Sequence, residues 1–177
     1  MAGLIAPTCV ISRLRAGDKR QVIEDLARVA CRTASLDLEA ALAAVRVPAD
    51  LPSFGPGRGV AIPHAMVPGL IRPFGAFARL DRAIAFDAAD GEPVDLVFLL
   101  LGPEGRPGRL LRAMACAARR LRDQQARQRL RAAAGAEALH AVLTSESWTD
   151  GVLEGALGQV ENPNCDPSST STTALRL

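Results

Sequence analysis

Apolar residues recur along this chain in two rhythms, a helical one and a denser one suited to strands, and the switches between them mark the elements. Val10–Leu14 is a short apolar stretch, enough to start a sheet edge or pack on one. Gly17-Asp18 interrupts it, and Asp18 is a good helix N-cap. From Lys19 onward Val22, Ile23, Leu26, Val29 and Ala30 recur at helical spacing, while Arg20, Glu24, Asp25 and Arg28 fall mostly elsewhere. The pattern predicts an amphipathic helix ending near Arg32. Leu36, Leu38, Ala41, Leu42 and Val45 predict a second, shorter helix capped by Ser35 or Asp37. Pro48, Pro52 and Pro56 then stop any helix.

Val60–Ile62 reads as a short buried strand, and Pro68-Gly69 as a turn. Phe74–Leu80 and Ala83–Phe86 are predicted strands, followed by the strong turn pair Asp90-Gly91. Val94–Leu101 is almost continuously apolar, the mark of a strand buried on both faces. Leu110, Leu111, Met114, Ala117 and Leu121 return to helical spacing, with Arg109, Arg112, Arg119, Arg120 and Arg122 around them. Gln125–Ala133 and Ala136–Leu143 predict two more helices, the second starting after Gly135. Past Ser145 the signal decays, and Glu161–Thr173 is rich in Ser, Thr, Pro and Asn. The expected organisation is one domain over residues 1–150 and a disordered tail over 151–177. Helices on either side of a sheet with apolar central strands make an α/β sandwich.

Composition narrows the function classes. The 177 residues are 49% hydrophobic and 23% charged, with a formal net charge of +2, as in a globular domain with no particular polyanionic partner. Lys19 is the only lysine, so the many arginines are discounted as a coding bias. Nucleic-acid binding through Arg106–Arg131 is not supported, since that stretch has no aromatic residue and no binding motif. Leu96–Leu101, the longest strongly apolar run, is too short to span a bilayer, and Met1–Pro7 does not resemble a secretory signal. Cys9, Cys31, Cys116 and Cys165 are scattered without metal-ligand spacing, and are expected to be reduced, with Cys31 and Cys116 buried. A cytoplasmic location is the expectation, with neither a metal nor an organic cofactor.

The candidate chemistry sits between Gly55 and His64. Gly55, Gly57 and Gly59 alternate, so the backbone there can take positive φ and approach a ligand closely. Pro63 fixes φ just before His64, which places a rigidly held histidine at a strand end. Backbone N–H groups of the loop could then face an anion. The competing reading is a surface turn that happens to precede a histidine.

The wider sequence resembles a known family, the IIA domain of the bacterial phosphoenolpyruvate-dependent phosphotransferase system, mannitol/fructose class, and most closely its nitrogen-regulatory branch. Ser53-Phe-Gly55-Pro-Gly57-Arg-Gly59-Val-Ala-Ile-Pro-His64 resembles the family's Ser-Thr-Gly-x-Gly-x-Gly-x-Ala-x-Pro-His loop. Ile84-Ala-Phe-Asp87 and Gly91-Glu-Pro-Val-Asp95-Leu-Val-Phe98 resemble its Ile-x-Phe-Asp…Gly-x-Pro-Val-Asp-Leu-x-Phe segment. Ile11-Ser-Arg-Leu with the helix from Lys19 adds weaker support, and the likeness spans roughly Val10 to Ser145. The resemblance implies a mixed β-sheet flanked by helices. It also implies that His64 accepts a phosphoryl group from a histidine phosphocarrier protein, with Ser53, Gly55, Gly57 and Gly59 as the phosphoryl loop. Such a chain is a phosphohistidine carrier rather than a stand-alone enzyme.

Two departures qualify that expectation. The family's upstream Arg-Glu falls at Pro48-Ala49, leaving Arg46 two residues away, and Phe54 replaces the loop threonine. The family's second histidine, on the helix after Gly102-Pro103, falls at Arg112. Arg112 is expected either to clamp a phosphoryl group bidentately or to be a solvated helix residue. His140, the other histidine, reads as a surface or boundary residue. Two functions therefore stand side by side. One is a regulatory phosphoacceptor whose phosphorylation state controls target proteins; the other is an interaction module that keeps the fold without phosphotransfer.

Overall fold

The computed structural model describes residues 3–49 and 54–145. The expected tail over 151–177, Cys165 and Ser53 lie outside the described residues. Five strands and five helices follow one another as β1 (Ile5–Leu14), α1 (Lys19–Ala34), α2 (Leu38–Ala49), β2 (Val60–Ala61), β3 (His64–Val67), β4 (Phe74–Ile84), β5 (Val94–Pro103), α3 (Pro107–Arg122), α4 (Gln124–Ala132) and α5 (Ala136–Thr144). The strands form one mixed sheet in the order β1-β4-β5-β2, with β3 continuing β2 along the same side of β5. β1 runs parallel to β4, β4 antiparallel to β5, and β2 and β3 parallel to β5.

Local chemistry explains the helix ends. Asp18 accepts the N–H of Gln21 at 2.8 Å and starts α1. Ser35 closes it in the left-handed region, and Asp37, rather than Ser35, caps α2 by accepting from Ala40 N. Asp123 starts α4 by accepting from Gln125 N. α1 ends at Ala34 and α2 runs on to Ala49, past the position of Pro48 where sequence placed the stop.

β5 is the axis of the core, with Leu96 through Leu101 all fully buried, as its apolar run predicts. β1 begins at Ile5 rather than Val10, and occupies an outer position in the sheet. The two strands expected around residues 74–86 are one strand, β4, whose pairing with β5 is irregular between Arg79 and Ile84. Arg79, the last residue in register before that irregularity, donates to Ser12 O and to the carbonyls of Leu130, Arg131 and Ala133, which ties the end of α4 to the sheet. Cys9 and Cys31 are buried, whereas Cys116 is only half-buried, because it lies beside the apolar stripe of α3 rather than in it. His140 Nε2–H donates to Ile5 O, 3.4 Å away, and joins α5 to β1.

Candidate functional site

His64 is the first residue of β3, on the side of β5 away from β4. Pro63 breaks the run from β2 into β3, yet its carbonyl still accepts from Leu100 N at 2.9 Å, so the chain stays bound to β5 through the break. In the register His64 lies beside Leu100 and Met66 beside Gly102. Gly102 faces Leu110 of α3, and a Cβ there would come within 2.7 Å of that side chain. His64 and Met66, two residues apart, therefore share the sheet face that carries α3.

The His64 ring is half-buried and fixed from two sides. Nδ1 lies 3.2 Å from Ile62 O. A carbonyl only accepts, so in the neutral ring the proton sits on Nδ1 and the lone pair is on Nε2. The ring of Phe54 meets the imidazole edge-on, 6.1 Å between centroids at 85°. Phe54 O in turn accepts from Ile62 N at 2.6 Å, closing the loop over residues 54–62. Phe54 and Met66, at 47% and 46% exposure, flank His64 with large apolar side chains open to solvent.

Two of the three loop glycines take the positive φ expected of them, Gly55 does not, and the close neighbours are protein groups. Gly57, Arg58 and Gly59 all take positive φ, at 74°, 59° and 82°. The Arg58 N–H donates to Asp90 Oδ2 at 2.7 Å, so this donor of the loop is already used. Arg131 of α4 donates from Nη2 to Arg58 O at 2.9 Å and forms a two-bond pair with Asp95, 2.7 Å on each arm. Arg58 N–H, and then Glu92 N–H, hold the Asp90 carboxyl below the ordinary carboxylate range, and Asp95 raises Arg131.

The two arginines singled out by sequence stand differently. Arg46 donates to Glu24 Oε1 at 3.1 Å, which fastens α2 to α1. Arg112 is exposed on α3, on the side away from Leu110, Ala113, Met114 and Ala117, and makes no hydrogen bond or ion pair among the described residues. Its neighbour Arg109 donates to Ile71 O at 2.7 Å. Gly55 packs against Val60 and Ala61, and Gly57 and Gly59 lie against Asp90 and the Arg131–Asp95 pair rather than against His64, whereas His140 belongs to the β1–α5 contact. Sequence reading missed Phe54, Asp90, Asp95 and Arg131 as parts of the site. Phe54 stands out in sequence as the replacement of the loop threonine, Asp90 as half of a turn pair and Asp95 as part of the family segment, whereas Arg131 carries no signal.

Among the described residues no group of three His, Cys, Asp or Glu side chains could hold a metal ion, and no helix is long and apolar enough to cross a membrane. Residues 4–146 match the family described as "Phosphoenolpyruvate-dependent sugar phosphotransferase system, EIIA 2". The chain is 43% identical over 140 residues to a nitrogen regulatory protein of Bradyrhizobium diazoefficiens, covering 79% of this chain and 92% of that one. It is 33% identical over 150 residues to the nitrogen regulatory protein of Escherichia coli, covering 84% and 92%. The crystal structure of the nitrogen regulatory protein IIA-Ntr from Neisseria meningitidis superposes with a TM-score of 0.72 at 31% identity, over 80% of this chain and 97% of that one. The mannitol IIA of Escherichia coli shares the fold, with a TM-score of 0.64 at 14% identity over 78% and 97%. By sequence and by fold alike, the chain belongs to the EIIA 2 family of the phosphoenolpyruvate-dependent phosphotransferase system, alongside its nitrogen regulatory proteins.

Proposed function

We propose that this chain is a regulatory phosphoacceptor: His64 takes a phosphoryl group from a histidine phosphocarrier protein, and the two states engage target proteins differently. The observation that carries this reading is the Nδ1–Ile62 O hydrogen bond, which leaves the Nε2 lone pair as the nucleophile. The N–P bond of the donor phosphohistidine breaks as the bond to Nε2 forms, and the donor imidazole keeps the electron pair of the broken bond. The accepting ring gains positive charge, which the Ile62 carbonyl stabilises through Nδ1–H. Bonds of similar strength are exchanged, so neither a metal nor an organic cofactor is required. The transition state is loose, which leaves positioning as the protein's main task.

The exposed Phe54 and Met66 beside the ring suit docking by another protein better than entry of a small substrate. Arg112 is proposed as the cation for the transferred group on its sequence position alone, since it stands on the outer side of α3, away from the stripe that faces the sheet. A cytoplasmic location goes with this reading. The second reading, an interaction module without phosphotransfer, draws on Arg46 being engaged by Glu24 and on proline and alanine at positions 48 and 49. Incubation with phosphoenolpyruvate, the first enzyme of the relay and the phosphocarrier separates the two. An acid-labile mass increase that His64→Ala abolishes supports the acceptor; no increase in the parent chain supports the module.

A further inference from the structure

We infer that Asp90, Asp95 and Arg131 form a clamp on the far side of the glycine loop, and that Arg131 is a positioning residue for His64. The inference rests on the phosphoacceptor reading for its kinetic consequence, but its geometry stands on the loop itself. Three successive residues with positive φ, one of them Arg58, are a conformation that L side chains rarely adopt. Such a segment persists only when its surroundings hold it.

Here both backbone groups of Arg58 are held. Its N–H donates to Asp90 and its carbonyl accepts from Arg131. Gly59 O accepts from both Asp95 N and Leu96 N at 3.0 Å, so the carboxylate that pairs with Arg131 grows from the backbone that pins the loop. The glycines mark where the clamp presses. A Cβ on Gly57 would lie 2.5 Å from Asp90 Oδ2. A Cβ on Gly59 would lie 2.5 Å from Arg131 Nη2 and 2.7 Å from Asp95 Oδ1. Arg131 is itself steadied, because its own carbonyl accepts from Arg79 of β4 at 2.8 Å.

The far end of the same loop carries the two groups that fix His64. Phe54 lies across the imidazole, and Ile62, bonded to Phe54 O, holds Nδ1. Releasing Arg58 therefore loosens the ring orientation and the tautomer together, without removing any group that touches the phosphoryl donor. The cost is a rate effect. Small misplacements of reacting atoms slow transfer about tenfold to a hundredfold.

The test uses the full chain and two readouts. Nitrogen NMR of the neutral His64 ring reports the tautomer, with His64→Ala to assign the signal against His140. Single-turnover transfer from the phosphorylated phosphocarrier reports the rate and the half-saturating donor concentration separately. Arg131→Ala is expected to turn a dominant Nδ1–H form into a mixture and to slow saturated transfer about tenfold or more, with half-saturation nearly unchanged. Arg131→Lys should recover part of the loss, and adding Asp95→Ala to Arg131→Ala should add little. Asp90→Ala, which removes the acceptor of the Arg58 N–H, is the second route to the same loosening if Arg131→Ala does not fold. Arg13→Ala, which removes the exposed pair with Asp81, is the control and should change neither readout. An unchanged tautomer in both Arg131→Ala and Asp90→Ala overturns the clamp. A tautomer shift in a chain whose parent takes up no phosphoryl group upholds the clamp and overturns the acceptor reading instead.

Discussion

β5 and the β2–β3 run lie side by side, parallel and hydrogen-bonded, yet they serve different ends. Every side chain of β5 from Leu96 to Leu101 is fully buried, with helices and strands closing over both faces. β3 buries Ala65 and Val67 but turns His64 and Met66 outward, and Pro63 bends the chain just before the histidine. The first strand holds the domain together; the second borrows that rigidity to present one reactive nitrogen. Burial is thus separated from chemistry by a single strand spacing, and substitutions in the two strands should separate in the same way.

The largest expected effect is in β5. Phe98→Ala deletes a fully buried ring that packs on Phe77 at 6.2 Å, and should lower unfolding stability by about 3–5 kcal/mol in denaturant melts. A loss below about 1 kcal/mol would mean that β5 is not the axis of the core. Next is Arg112→Ala, expected to slow or weaken His64 phosphorylation about tenfold to a hundredfold, corresponding to about 1.5–3 kcal/mol for one charge-assisted contact. Arg119→Ala on the same helix controls for lost positive charge, and equal behaviour of the two would leave Arg112 as a solvated helix residue.

Met66→Ser probes the presenting strand. It should weaken phosphocarrier binding by about 1 kcal/mol while changing stability by less than about 0.5 kcal/mol, because the side chain is half open to solvent. Equal losses in both would show that Met66 belongs to the core. The smallest effect concerns pH. The backbone N–H groups of Arg58 and Glu92 hold the Asp90 pKa below the ordinary carboxylate range, so its contribution to loop stability is complete above that range and is lost as pH falls through the lowered value. The Arg58 amide signal should shift with that same low midpoint, and a shift centred in or above the ordinary carboxylate range would contradict the Asp90 contact.

Much of this was readable in sequence because the signals are local. Asp18 with its run of apolar residues, the turn at Asp90-Gly91 and the unbroken Val94–Leu101 each carry their own structural instruction. β1 before Val10 was hidden by Pro7 and Thr8, which are exposed in a strand on the sheet's flank. β4 reads as two strands because Asp81 and Arg82 interrupt the apolar pattern, although Asp81 is paired with Arg13 and Arg15 across the sheet. The clamp had no local signature. Arg131 lies 73 positions from Arg58 and 36 from Asp95, and only the fold brings them within hydrogen-bond reach. Phe54 is ten residues from His64, and nothing in the spacing says that its ring crosses the imidazole.

The central claim is that His64 acts through Nε2 because Nδ1–H is held by Ile62 O. Nitrogen–phosphorus couplings in the phosphorylated, nitrogen-labelled chain read the bonded atom directly. The account predicts phosphorus on Nε2 of His64 with Nδ1 still protonated. Phosphorus on Nδ1 of His64, on His140, or on no histidine would contradict it.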